Sequence, residues 1–440
     1  MMRVAVKGTM WFGLYAAVAL CPLLFAAVGV AEERRGFWRE FAVAIGFVGL
    51  SMMGLQLVLV ARIKTVAAPF GEDALVTFHR YMGYVGTALV FAHPVLLIAL
   101  VDPTYIARVI PWTAPWAGRF GSLAILCLIL VIVTSMWRAR LRISYERWQA
   151  IHLIASAVAI IAALVHVELI DHYVDRPWKR GLWILMTAAF LAVFIWVRII
   201  RPAIRMRHPW MVSSVVAERG GISSITFRPD GHAGFTFAPG QFGWLSMNRS
   251  PFSLTQHPFS FSSNGDDPSA LQMSIKALGN FTTTIADIQP GTRAYIDGPH
   301  GVFSPDRYQG PGFVFIAGGV GISPIMSMLR TLAARADQRP CHLFFGVNHL
   351  DHAAFREEID SMVADMNLSV WYVVAEPESG WSGERGYISL EILRRLLPAR
   401  CQSLQYFICG PGALQDAMED ALGAMGVPAE QVHTEHFNFV

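Results

Sequence analysis

The 440-residue sequence predicts a six-helix all-α membrane bundle followed by a small antiparallel β-barrel and an α/β parallel-sheet domain. Three observations carry that prediction. Hydrophobic residues make up 54% of the chain and charged residues only 15%, an apolar excess over ordinary soluble domains. The excess is confined to the first 200 residues, which run as long apolar stretches, whereas charges, Gly and Pro return to soluble density afterwards. After that point short alternating segments come first, then apolar strands alternating with amphipathic helices. The three domains are placed at 1–206, 207–308 and 309–440.

A bilayer core takes about 20 apolar helical residues, and six segments qualify: 10–31, 41–61, 75–101, 119–137, 149–170 and 181–200. Arg3 and Lys7 ahead of the first run look like the start of an export signal. The run from Met10 to Ala31 exceeds the roughly 7–15 residues of a signal core, so it is read as a span. Connections on one side carry Arg62 and Lys64, then Arg138, Arg140, Arg142 and Arg147, then Arg198, Arg201, Arg205 and Arg207; those on the other are mixed in charge. Positive residues favour the cytoplasm, which places the N-terminus and the soluble half there. Trp112, Trp116, Trp137, Trp178 and Trp183 fall near span ends, as an interfacial aromatic belt requires.

Composition also narrows the chemistry. A net charge of +3 is too small to mark a nucleic-acid binder. The five cysteines (Cys21, Cys127, Cys341, Cys401 and Cys409) are scattered without a CxxC or four-Cys spacing. That pattern argues against an iron–sulfur cluster, a structural zinc and a disulfide framework.

Five histidines precede residue 200, and His172 lies in a polar loop. The other four form two pairs, His79 with His93 and His152 with His166, each separated by 14 residues. Fourteen steps come within about 40° of whole turns, so each pair shares a helix face over roughly 21 Å. The third and fifth spans enter the bilayer from the same side and run parallel. His79 is therefore level with His152 near the inner side, and His93 with His166 near the outer side. Imidazoles facing across a gap ligate one iron from both sides, and two levels fit two stacked bis-histidine b-type haems. Gly83 and Gly86, with Ser156, Ala159 and Ala163, leave room for a macrocycle or let helices pack closely; both readings stay open. So does a haem-free one, a flavin reductase tethered by helices with structural histidines.

In the soluble half, FVFIAGGVGISPIMSMLR runs a buried strand into Gly318, Gly319 and Gly321, with Ser323 as helix N-cap and Pro324 in the first turn. Such a turn brings backbone N–H groups to a pyrophosphate. QYFICGPGALQDAMEDAL places Cys409, Gly410 and Pro411 at another strand end, where ligands gather. In the barrel, QHPFSFSSN offers Phe259 to cover a flat ring and Ser260 to hydrogen-bond to it, although the run also reads as an ordinary edge strand. Gly279, Asn280, Phe281 and Thr282 open a helix whose free N–H groups suit phosphate.

Six spans, paired histidines, HPFS, GNFT, GGVGISP, CGP and a terminal aromatic, in that order, resemble the ferric reductase and NADPH oxidase superfamily. The soluble half is similar to ferredoxin–NADP reductase domains, and the short multi-pass form to bacterial members, which implies the bacterial inner membrane. The resemblance implies electron transfer from cytoplasmic NADPH or NADH through FAD and two haem b groups to an acceptor on the outer face. It implies that His257, Pro258, Phe259 and Ser260 contact the flavin, and that Gly279, Asn280, Phe281 and Thr282 hold its pyrophosphate. Gly318, Gly319, Gly321, Ser323 and Pro324 would line the dinucleotide site, with Cys409, Gly410 and Pro411 near the nicotinamide. Glu435 and Phe437 would guard the flavin face, with Phe439 as rival aromatic because the chain runs on to Val440. Where NADPH-preferring relatives often carry an Arg, Asn348, His349 and Asp351 stand here, a slight lean towards NADH.

The acceptor has three readings: oxygen leaving as superoxide, with Arg39 as a cation near the outer haem; a ferric or cupric chelate; or a docked periplasmic protein. Oxygen is put first.

Overall fold

The computed structural model describes residues 2–27, 36–67, 70–110 and 112–435. The chain divides near Pro202 into two compact units.

In the first unit six long helices form where the apolar runs predict them: α1 (Met2–Ala27), α2 (Phe37–Leu59), α3 (Glu72–Leu96), α4 (Trp116–Met136), α5 (Tyr145–Ile170) and α6 (Pro177–Ile195). All six belong to segments long and apolar enough to cross a membrane, and a helix satisfies its own backbone there. The starts follow local chemistry. Ser144 caps α5 by accepting from the Arg147 N–H, and Pro177 opens α6, where the missing N–H costs nothing. Pro94 removes one backbone donor near the end of α3, and a π-helical turn, Leu97–Val101, follows. α1 begins earlier than the expected 10, and residues 28–31 of that span lie outside the described residues.

α3 packs along α2 and α5 along α4, rather than α3 and α5 on each other. Small residues set the approach of α2 and α3: a methyl on Gly49 would stand 2.8 Å from Val90 Cγ2, and one on Gly86 2.4 Å from Met53 Cε. Gly86 thus serves helix packing and not an open face, while a methyl on Gly83 would meet nothing within 4 Å. Trp183 corrects the aromatic belt: it is 3% exposed, packed with Phe47, Leu50 and Tyr173, whereas Trp112 is 79% exposed. Position at a span end does not say which way a ring faces.

The second unit holds two six-stranded sheets. β1 (Trp210–Ala217), β2 (Ile222–Pro229), β3 (Phe242–Met247), β4 (His257–Ser260), β5 (Leu271–Lys276) and β6 (Arg293–His300) form an antiparallel sheet in the order β4-β3-β6-β1-β2-β5. The ends of that order meet at one bridge, Phe261 with Met273. Phe227, Leu245, Phe261 and Met273 fill its core. The other sheet is parallel throughout, β10-β9-β8-β7-β11-β12, from β7 (Phe313–Gly318), β8 (Cys341–Val347), β9 (Leu368–Val374), β10 (Glu384–Arg385), β11 (Gln405–Cys409) and β12 (Val432–Glu435). β7 and β11 are buried along their whole length, as continuous apolar runs in a parallel sheet must be. α7 (Ile322–Ala334) follows the β7 glycines and α8 (Gly412–Ala424) follows β11.

Candidate functional site

The four intramembrane histidines meet in the two pairs that the spacing predicts. The His79 and His152 ring centroids lie 6.3 Å apart, those of His93 and His166 6.5 Å. An iron held at about 2.0 Å by one nitrogen of each of two rings puts the centroids roughly 6.2 Å apart, so both gaps fit a bis-histidine metal. Three of the four remaining ring nitrogens have a hydrogen-bond partner on a neighbouring helix. His93 Nδ1–H donates to the Ala42 carbonyl (2.8 Å) and His166 Nδ1–H to the Ala117 carbonyl (2.7 Å). A carbonyl only accepts, which fixes the proton on Nδ1 and leaves Nε2 as the free lone pair. His152 Nδ1 lies 3.3 Å from Ser135 Oγ, which also accepts from Trp148 Nε1–H at 3.1 Å. His79 Nδ1 has no hydrogen-bond partner among the described residues. Arg39 holds its guanidinium 5.7 Å from the Tyr105 ring, with a buried Nε that has no hydrogen-bond partner among the described residues.

On the antiparallel sheet, Ser260 ends β4, is 5% exposed, and its Oγ has no hydrogen-bond partner among the described residues. A buried hydroxyl without a partner is costly unless a ligand supplies one. His257 stacks on Phe281 (4.1 Å, 13°) and Phe259 lies parallel to Phe281 at 6.1 Å, which joins HPFS to GNFT. GNFT opens a short 3₁₀ turn, Thr282–Asp287, and the Leu278 and Gly279 N–H groups donate to Thr282 Oγ1. These two amides are therefore not free in the way the sequence implied.

The glycine turn and the CGP turn lie side by side at the ends of β7 and β11. A methyl on Gly321 would stand 2.1 Å from the Cys409 carbonyl oxygen, and one on Gly410 3.1 Å from Gly318 Cα. Gly319 has φ +55°, a conformation that costs glycine nothing. Gly321, not Ser323, precedes α7; Ser323 is buried inside the helix and donates to the Ser274 carbonyl at 3.0 Å. Pro324 is buried beside it. Cys409 pairs in register with Glu435 of β12, and burial pushes its thiol well above the usual range. It packs as a neutral group. Pro411 precedes α8, while Phe437 and Phe439 lie outside the described residues.

Sequence reasoning missed the arginines that join the two sheets. Arg330 on α7 grips Glu358 with two bonds (2.6 and 2.7 Å) and reaches the Ser262 carbonyl and Gln272 (2.6 Å each). Arg335 is bidentate to Asp266 and also bonds Asp306, which holds the Asp266 carboxyl below its ordinary range. Both tie α7, the helix after the glycine turn, to the loop that follows HPFS. Replacing Gly321 by Ala should cost about 3 kcal/mol and depress the thermal melt of the whole protein in detergent. An unchanged melt would show that the two turns separate freely.

Residues 45–163 match the ferric reductase like transmembrane component, and residues 315–420 match the oxidoreductase NAD-binding domain. The NADH-cytochrome b5 reductase 1 of Pyricularia oryzae is 26% identical over 40% of this chain and 60% of its own length. The flavohemoprotein of Oceanobacillus iheyensis is 26% identical over 50% of this chain and 57% of its own. The ferredoxin–NADP reductase B of Sorangium cellulosum is 27% identical over 48% and 89% respectively. The chain thus spans about three-fifths of the first curated relatives it matches. A solved ferredoxin reductase in carbazole 1,9a-dioxygenase aligns over 52% of this chain and 69% of its own with a TM-score of 0.46 and 25% identity. The chain thus carries six candidate membrane spans that include a match to the ferric reductase like transmembrane component, followed by a unit that includes a match to the oxidoreductase NAD-binding domain, a pairing consistent with the ferric reductase and NADPH oxidase superfamily.

Proposed function

We propose that the chain carries electrons from cytoplasmic NAD(P)H across a bacterial inner membrane to oxygen on the outer face, which leaves as superoxide. Two histidine pairs at ligand spacing, on separately buttressed helices of a ferric-reductase-like domain, carry this reading. When bound, FAD splits a hydride pair into single electrons, and two b-type haems supply one-electron stations between the faces.

The residues have distinct tasks. His79 with His152, and His93 with His166, each present a nitrogen lone pair to one iron. Ser260 offers its unpartnered hydroxyl to the flavin ring beside His257, Pro258 and Phe259. Asn280 and Phe281, with Gly279 and Thr282, shape the pyrophosphate turn. Gly318, Gly319, Gly321, Ser323 and Pro324 bring backbone to the dinucleotide, and Cys409, Gly410 and Pro411 form the floor under the nicotinamide. Glu435 stands beside Cys409, and Phe437 or its rival Phe439 would guard the flavin face. The basic connections orient the unit towards the cytoplasm. Among the described residues no three His, Cys, Asp or Glu gather as a metal-binding group; a neutral diatomic acceptor needs none.

A dithionite-reduced minus oxidised spectrum of purified membranes should show b-type bands with two haems per chain. NADH-driven reduction of external cytochrome c should collapse when superoxide dismutase is added. A signal that survives the dismutase unchanged removes oxygen as the acceptor, and absent b-type bands remove the haem reading.

Beyond β8, His349 Nε2 lies 3.5 Å from Glu376, and Asp351 lies 3.9 Å from His352 in the turn that follows. A ribose 2′-phosphate meets carboxylates there and no guanidinium fork. NADH should therefore exceed NADPH in kcat/KM by about tenfold, the equivalent of 1.4 kcal/mol. Equal values for the two cofactors would count against this assignment.

A further inference from the structure

The two histidine levels are built differently. At one level both histidines donate Nδ1–H to a helix carbonyl four residues before a glycine: His93 to Ala42, ahead of Gly46, and His166 to Ala117, ahead of Gly121. In a helix that carbonyl already accepts from the amide of residue i+4. A side chain on residue i+4 would cover the same oxygen. A methyl on Gly46 would stand 3.0 Å from His93 Nδ1, and one on Gly121 2.9 Å from His166 Nδ1. The two glycines, on different helices, therefore open the same kind of cradle. At the other level no such cradle exists. The Gln56 carbonyl faces His79, but Val60 and not a glycine stands four residues after it, and among the described residues His79 Nδ1 makes no hydrogen bond of good geometry. His152 has only the Ser135 hydroxyl at 3.3 Å, shared with Trp148.

We propose that the Ala42/Gly46 and Ala117/Gly121 cradles make His93 and His166 the more strongly donating ligand pair, so that the haem they hold is the harder of the two to reduce. The inference rests on the haem assignment above. A short bond from Nδ1–H to a strong acceptor pushes electron density onto Nε2 and favours the ferric over the ferrous state. Both members of one pair have that bond, and at the other pair it is long or missing. The backbone acceptors cannot be lost by changing their own side chains, so only the glycines expose the device to substitution.

The test is a potentiometric titration of the purified holoprotein, followed through the reduced b-type band. The wild type should titrate in two one-electron steps. His93→Leu and His166→Leu should each remove the lower step, and His79→Leu and His152→Leu the higher one. Gly46→Ala and Gly121→Ala should move the lower step to more positive potential with both haems retained. A tenfold loss of ferric preference reads as a shift of about 59 mV for a one-electron couple. Ser135→Ala should move only the higher step. The proposal is overturned if the wild-type steps coincide, if the lower step disappears with His79 or His152, or if both glycine variants keep two haems and neither step moves. Should the added methyl expel a haem, the four histidine variants still assign the steps. A wild-type protein without haem would instead sink the haem assignment itself.

Discussion

Replacing any one of His79, His93, His152 or His166 by Leu should remove one of two haems per chain and cut electron delivery to the outer face by at least about a hundredfold. Losing a ligand outright should exceed the 10–100-fold cost of losing an outer-shell partner. Leucine is apolar and a good helix former, so the substitution leaves the span and its packing intact. NADH-driven reduction of ferricyanide, which takes electrons from a flavin in the soluble half, should stay near the wild-type rate. That separation distinguishes a broken wire from a misfolded protein. The pairing makes a stronger demand: His79→Leu and His152→Leu should resemble each other, as should His93→Leu and His166→Leu, because their rings stand 6.3 Å and 6.5 Å apart. A full haem complement in all four variants would return these histidines to a structural role.

Much of this arrangement was legible in the sequence, for physical reasons. Twenty apolar residues have few alternatives to a membrane helix, and a 14-residue repeat of a rare intramembrane side chain fixes a face and a direction. The acceptors of the Nδ1 protons were not legible. They are the carbonyls of Ala42 and Ala117, and a backbone oxygen leaves no mark at its own position. The trace that existed was a glycine four residues later, which sequence alone cannot distinguish from one used for helix packing. Gly86 shows the ambiguity from the other side, since the space it leaves is filled by Met53. In the soluble unit the glycine turn was found, but Ser323 was misread as an N-cap. A serine ahead of a proline fits that pattern, while the close approach of Gly321 to Cys409 starts the helix earlier. Arg330 and Arg335 were invisible because Glu358, Ser262, Asp266 and Asp306 come from a helix, loops and a turn distant in the sequence.

Ser260→Ala should move stability and activity in opposite directions. In the flavin-free protein the Ser260 hydroxyl is buried and without a hydrogen-bond partner among the described residues, a state that costs about 1–3 kcal/mol. Alanine removes the oxygen and leaves a gap smaller than a methyl group, so the flavin-depleted variant should melt at or above the wild-type temperature. With FAD added the order should reverse, because only the wild type gains a ligand hydrogen bond, and binding to the folded state alone raises its stability. Hydride transfer from NADH, followed in stopped flow as flavin bleaching, should slow by about a hundredfold, the usual loss when one preorganised donor is removed from a reacting centre. The sign reversal is the discriminating part. A serine that only packs would lower both melts together, and one serving catalysis through protein partners would lower the flavin-free melt. Either result, or an unchanged bleaching rate, would move the flavin away from Ser260 and with it the assignment of HPFS.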